Sequence, residues 1–117
     1  MMQHEVIGTG LHGPFALVSD AIEEELVPNC PGAYALGFTD RLGRFSITYV
    51  GSAGEDLKNK LKGHIGTAQQ FKFRHFAQQR QAFEKECEMF HQFMPTGNFL
   101  HPGRPSGTNW LCPKCQR

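Results

Sequence analysis

The sequence GAYALGFTDRLGRFSITYVG, residues 32–51, decides the fold. Residues 33–38 are apolar and aromatic, and residues 39–44 contain the Asp and Gly that are typical of a turn. Residues 45–50 alternate apolar and polar side chains and include β-branched types. Alternation with a period of two indicates a half-buried strand. The stretch therefore predicts two strands joined by a turn.

Further elements surround this hairpin. Asp56 is a suitable N-cap for a helix, since apolar positions recur four residues apart in residues 57–62. Residues 71–76 alternate again and predict a third strand. Residues 78–93 carry apolar side chains at helical spacing and predict a long helix, while residues 20–26 predict a short acidic one. The order predicts an α+β fold with a small three-stranded, mainly antiparallel sheet flanked by helices.

The length and composition fit one domain. The chain has 117 residues, of which 39% are hydrophobic and 20% are charged. We divide it into an N-terminal arm with the short helix (1–30), a core (31–94) and an irregular tail packed on the core (95–117). No apolar run approaches the roughly 20 residues that a membrane-spanning helix needs. The first residues, MMQHEV, lack the features of a secretory signal, so we expect a cytoplasmic protein without membrane contact.

Two tripeptides in the hairpin carry a family resemblance. Gly32-Ala33-Tyr34 and Tyr49-Val50-Gly51 resemble the paired tripeptides of the GIY-YIG nuclease superfamily. The helix after Asp56 resembles the first helix of that family, although Lys60 stands where the family usually has Arg. In the long helix, Ala82 followed four residues later by Glu86 resembles the family's metal-binding pattern. The matches extend from about residue 32 to residue 91.

The resemblance implies a fold and an activity. The fold is a three-stranded antiparallel sheet flanked by helices, and the activity is metal-dependent hydrolysis of phosphodiester bonds in nucleic acid, with DNA as the expected substrate. Glu86 would hold Mg²⁺ or Mn²⁺, and Tyr34 would orient the attacking water or act as its base. Tyr49, Lys60 and His64 would contact the phosphate or transfer protons. Lys keeps the charge of the usual Arg but loses its planar bidentate fork, so this substitution bears on activity more than on the fold.

The charges are unevenly distributed along the chain. Residues 1–30 contain five acidic residues and no Lys or Arg, whereas residues 57–83 contain six basic residues and no acidic one. Such a basic run is either a solvated face or a surface that contacts phosphate groups. In the second interpretation, two arginines at the hairpin tip and four basic residues of the run contact nucleic acid: Arg41, Arg44, Lys58, Lys62, Lys72 and Arg74.

A second metal site is predicted from cysteine and histidine spacing. Cys112 and Cys115 form a CxxC turn, and Cys87 and His91 lie at i and i+4 on the long helix, so that both can face one point. Three cysteines and one histidine form a plausible tetrahedral zinc site that ties the tail to the helix. His101 is the alternative fourth ligand. The other interpretation is an apolar Cys87 and a free or redox-active CxxC pair.

Two other functions remain open at this stage. The chain can be a nucleic-acid-binding module of the same fold with weak or absent activity, or a zinc-stabilised scaffold that binds protein. Phosphate contacts weaken steeply as the salt concentration rises, which distinguishes the first of these from the second. A chain this short can also depend on a protein partner to find its target.

Overall fold

The computed structural model describes residues 3–4, 8–98 and 100–116. Five strands and three helices occur in the described residues, and none of these helices has the length and apolar character to cross a membrane. The elements in chain order are β1 (Gln3–His4), β2 (His12–Ala16), α1 (Ser19–Glu25), β3 (Gly32–Thr39), β4 (Phe45–Ala53), α2 (Leu57–Lys62), β5 (Gln70–His75) and α3 (Gln79–Phe93).

The strands form one antiparallel sheet in the order β1-β4-β3-β5-β2. The expected α+β fold with an antiparallel sheet is confirmed, but the count of three strands was too low. The two-residue β1 and the five-residue β2 extend the sheet at its two edges. The sequence did not indicate β2 because it contains Gly13 and Pro14, and its pairing with β5 shifts register between His12 and Phe15.

The predicted hairpin is the centre of the sheet. Tyr34 on β3 lies opposite Gly51 on β4, and Leu36 lies opposite Tyr49. In the turn, Oδ1 of Asp40 accepts hydrogen bonds from the backbone N–H groups of Leu42 (2.9 Å) and Arg44 (3.0 Å). An Asp that bonds to the backbone in this way favours a tight turn.

The two faces of the sheet carry separate cores. One core contains Tyr34 and Leu36 together with Ile22 of α1 and Leu61 of α2. The alternation of β3 places its neighbours on the other face, where Ala33, Ala35 and Val50 pack against Met89 and Phe93 of α3. The sheet is therefore sandwiched between α1 and α2 on one side and α3 on the other.

The tail returns along α3. The helix ends where Met94 adopts a left-handed conformation (φ 44°). After it, Cys112 packs with Phe83 and Cys87 of α3 in a small third core, against which Trp110 also lies. No helix or strand is assigned in the part of the tail that the structure describes. The tail is held by side-chain contacts instead.

Candidate active site and metal-ligating cluster

Three aromatic side chains meet on the face of the sheet that carries α2. The ring centroids of Tyr34 and His64 are 5.2 Å apart, those of Tyr49 and His64 are 5.5 Å apart, and those of Tyr34 and Tyr49 are 6.3 Å apart. The hydroxyl of Tyr34 is hydrogen-bonded to Nε2 of His64 at 2.7 Å. Residues far apart in the sequence thus form one polar contact inside an aromatic cluster.

The glycine of the second tripeptide makes room for this cluster. A Cβ atom on Gly51 would collide with the hydroxyl of Tyr34 and lie 2.5 Å from its Cζ. The Tyr34 ring lies across the backbone of β4 at the position directly opposite, where a larger residue does not fit. Gly51 therefore sets the position of the Tyr34 hydroxyl.

Glu86 approaches β4 from the opposite face. The Ser52 hydroxyl donates a hydrogen bond of 2.5 Å to Oε1 of Glu86. Burial raises the pKa of Glu86, while the bond from Ser52 and the positive charge of Lys60 oppose that rise. Ser52 was not identified as a site residue from the sequence, because a serine on a strand has no signal that separates it from other half-buried polar residues.

Charges connect the two faces. Burial raises the pKa of Tyr34, and the neighbouring Tyr49 and the negative charge of Glu86 add to this rise. Burial and then the charge of Lys60 lower the pKa of His64. The charge of Lys60 also acts to lower the pKa of Glu86. All five residues predicted as catalytic are therefore linked by contact or by charge.

An open cleft adjoins this cluster. It has a volume of about 440 Å³, and its walls include Tyr49, His64, Thr96 and Gly97. His64 stands in the turn after α2, where its carbonyl accepts a 2.7 Å hydrogen bond from the Thr67 hydroxyl. The cleft gives a ligand access to the aromatic cluster from solvent.

The tail braces the free edge of β4. Gly97 N–H donates to the Thr48 carbonyl (2.7 Å), and the Asn98 side chain bonds both backbone groups of Val50, accepting from N–H (2.9 Å) and donating to C=O (3.0 Å). In the described chain, β1 pairs only with Ile47 and Ser46. We call the bonds of Gly97 and Asn98 to β4 the edge brace.

Most of the predicted nucleic-acid contacts have local partners instead. Lys58 and Lys62 both form ion pairs with Oε1 of Glu23, at 3.0 and 2.9 Å, and so connect α2 to α1. Arg44 pairs with Asp40 within the hairpin turn (3.2 Å). Lys72 and Arg74 lie over the rings of Phe45 and Phe76, respectively. Arg41 lies exposed at the hairpin tip.

A second cluster lies between the end of α3 and the tail. The ligand atoms of His91, His101, Cys112 and Cys115 all lie within 4.8 Å of one another, and these four side chains can hold a metal ion. Two imidazoles and two thiols match the donors and the number of ligands of a closed zinc site. The cluster joins a helix residue to three tail residues from two separate segments.

The histidines of this cluster have the features of ligands. Nε2 of His91 is a buried polar atom without a hydrogen-bond partner in the described residues, which is costly unless something else binds it. Nδ1 of His101 lies 2.9 Å from the Pro102 carbonyl. A carbonyl only accepts, so this nitrogen carries the proton and Nε2 of His101 is left with its lone pair. Such a bond is the usual way to orient a metal-binding imidazole.

The predicted ligand set differs from the observed cluster at one position. His101 belongs to it, and Cys87 does not. Cys87 is buried one turn before His91 in the third core, where burial and the neighbouring Cys112 raise the pKa of its thiol. A position at i and i+4 on a helix is compatible with shared ligation, but Cys87 packs with Phe83 and Cys112 in the third core instead.

The thiol of Cys112 differs from that of Cys87, because its pKa is lowered and not raised. Burial acts to raise the pKa of its thiol, but hydrogen bonds from the backbone N–H groups of Cys115 and Lys114, together with the side chains of His101 and Cys115, lower it to about 6. The Lys114 N–H lies 3.4 Å from Sγ of Cys112. The thiolate form, which is the metal ligand, is therefore favoured near neutral pH.

Comparison of the chain with known proteins gives no match to a family model, to a curated protein or to a solved structure.

Proposed function

We propose that this chain is a metal-dependent endonuclease of the GIY-YIG type that hydrolyses phosphodiester bonds, with DNA as the substrate. The observation that carries the proposal is the contact of Tyr34, Tyr49 and His64 with one another beside an open cleft that Tyr49 and His64 line. Lys60 and Glu86 act on this cluster through their charges. These residues come from β3, β4, α2, the turn after α2 and α3, and the resemblance names all five.

His64 is the proton acceptor in this proposal. Its lowered pKa leaves the imidazole neutral at pH 7, which a general base requires. Tyr34 stays protonated, since its pKa is raised. Tyr34 is fully buried and does not line the cleft. Its 2.7 Å contact orients the imidazole of His64, which lines the cleft and takes the proton of a water there.

The cations supply the remaining chemistry. Charge accumulates on the phosphate oxygens in the transition state, and Lys60 would stabilise it. Glu86 would hold Mg²⁺ or Mn²⁺, which polarises the phosphate when bound. The carboxylate fits this role, because it is half-buried and, within the described residues, has no ion pair and a hydrogen bond from Ser52 alone. A bound cation would offset the cost of burying its charge.

The experiment is cleavage of plasmid and branched DNA in the presence of Mg²⁺ or Mn²⁺. Glu86→Gln keeps the shape of the side chain and an oxygen for Ser52, so loss of cleavage reports loss of the charge. Glu88→Gln is the matched control, since Glu88 lies on the same helix and pairs with Lys85. Cleavage by the parent and the control, but not by Glu86→Gln, is expected. Equal cleavage by all three proteins would contradict the proposal.

The second candidate is a nucleic-acid-binding module without cleavage, and the observation in its favour is Lys60. Lys lacks the bidentate geometry of Arg. DNA binding that weakens steeply with salt, together with no cleavage by the parent or by Lys60→Arg, would favour the module. Cleavage gained by Lys60→Arg alone would show that Lys60 is the limiting residue.

We also propose that zinc is the metal of the cluster formed by His91, His101, Cys112 and Cys115. Thiolate and imidazole ligands in equal number select zinc over Mg²⁺, which prefers oxygen. The partnerless Nε2 of His91 supports occupation of the site by an ion. All four ligands come from protein, so the ion has a structural role and no open position for substrate.

A further inference from the structure

We infer that metal binding at His91, His101, Cys112 and Cys115 holds the edge brace in place, so that the tail metal assembles the active-site cleft. The inference rests on the proposed function only where it concerns cleavage. Its structural part concerns how one strand edge is kept paired.

The first argument is the path of the chain between the two sites. Asn98 bonds to Val50 of β4, and His101 follows three residues later in the metal-ligating cluster. A segment of this length spans at most about 10 Å. A metal that fixes His101 to His91 of α3 therefore restricts where Asn98 can go. The brace and the cluster are the two ends of one short tether.

The second argument is that the brace has little else to support it. The tail has no regular secondary structure in its described part, and Thr96 and Gly97 are exposed. Gly97 approaches β4 so closely that a Cβ atom there would lie 2.5 Å from the Thr48 carbonyl oxygen. Exposed segments with few contacts open easily unless something fixes them. The metal provides that fixed point.

The third argument is the position of the brace relative to the cleft. Tyr49 lies between the two braced residues, Thr48 and Val50, and Thr96 and Gly97 form part of the cleft wall. Release of the brace removes this wall and leaves an unpaired strand edge beside Tyr49. Loss of the metal would therefore alter the active-site cleft by releasing the edge of β4, and not by changing a charge there.

The Val50 amide reports the state of the brace directly. Both its N–H and its C=O are bonded to the Asn98 side chain, so this amide points away from β3. Its hydrogen-exchange rate measures opening of the brace, while amides in the β3–β4 ladder serve as internal references. This measurement does not depend on any nuclease activity.

The test compares two cysteine substitutions in the full chain. Cys115→Ser removes an exposed ligand, and Cys30→Ser is the matched control outside the cluster. We expect zinc content to fall only in Cys115→Ser, with exchange at Val50 and Gly97 accelerated by at least about tenfold. Zinc loss with unchanged exchange at Val50 would overturn the inference, and so would a parent chain that binds no zinc.

A third variant separates the brace from the metal. Asn98→Asp keeps an oxygen for the Val50 N–H but places a carboxylate against the Val50 carbonyl. We expect it to retain zinc and to lose protection at Val50. Retained protection at Val50 would contradict the role given to Asn98. Protection that follows zinc in a chain that cleaves no substrate would support the inference and refute the proposed nuclease.

Discussion

Gly51 carries a tight steric constraint at the site. We expect Gly51→Ala to lower the free energy of unfolding by about 1–3 kcal/mol, as overpacked substitutions do, because the new methyl group collides with the Tyr34 ring. Displacement of that ring also separates its hydroxyl from His64. Urea denaturation measures the first effect and cleavage the second. Gly103→Ala is the control, since a Cβ atom there meets nothing within 4 Å. Equal stability of the two variants would contradict this packing.

Glu86 is expected to oppose folding at neutral pH. Its pKa is raised above 4.5, so the folded chain binds this proton more tightly than the unfolded chain does. The resulting stability is present below about pH 4.5 and is lost as the pH rises through the folded pKa. Glu86→Gln should therefore stabilise the protein at pH 7 by on the order of 1 kcal/mol and have little effect at about pH 4. Urea denaturation at both pH values, without added Mg²⁺, measures this. A destabilised variant at pH 7 would contradict it.

At the scale of elements, the three lysines of α2 have different partners. Lys58 and Lys62 form ion pairs with Glu23 of α1. The charge of Lys60 instead acts to lower the pKa values of His64 and Glu86. We expect Lys60→Gln to lower the cleavage rate by about 10²-fold, as loss of a transition-state contact does, and Lys62→Gln to leave it within about twofold. Single-turnover cleavage measures both. A larger loss in Lys62→Gln would place the phosphate on the α1 side of the helix instead.

The sequence predicted those elements whose signals are local. β3 is a continuous apolar and aromatic run and β4 and β5 alternate. Asp56 caps α2 by accepting from the Asn59 N–H, and α3 has a regular apolar spacing, so all of these were found. β2 was missed because its pairing with β5 stabilises a segment whose own residues do not favour a strand.

The residues of the candidate site were likewise predictable only where the signal is local in the sequence. Tyr34, Tyr49 and His64 were found through short motifs, and the structure brings them together. Ser52 and the edge brace depend on where α3 and the tail return to the sheet, which no local pattern encodes. The choice of His101 over Cys87 depends on the same long-range path.

At the scale of the whole molecule, the tail metal should contribute to global stability. A ligand that binds only the folded state at 100 times its dissociation constant adds about 2.7 kcal/mol. We expect zinc to raise the Tm of the metal-free chain by about 10 °C or more, and the same concentration of Mg²⁺ to raise it far less. Thermal unfolding followed by circular dichroism measures both. Equal shifts for the two ions would contradict a thiolate and imidazole site.

One feature of α3 constrains how this chain can change over evolutionary time. Glu86 lies at β4 and His91 lies in the tail cluster, five positions apart on one helix. Each helical residue turns the next by about 100°. A single insertion or deletion between them would therefore rotate one side chain out of phase with the other. Relatives that keep both sites should tolerate substitutions in this segment but no change in its length.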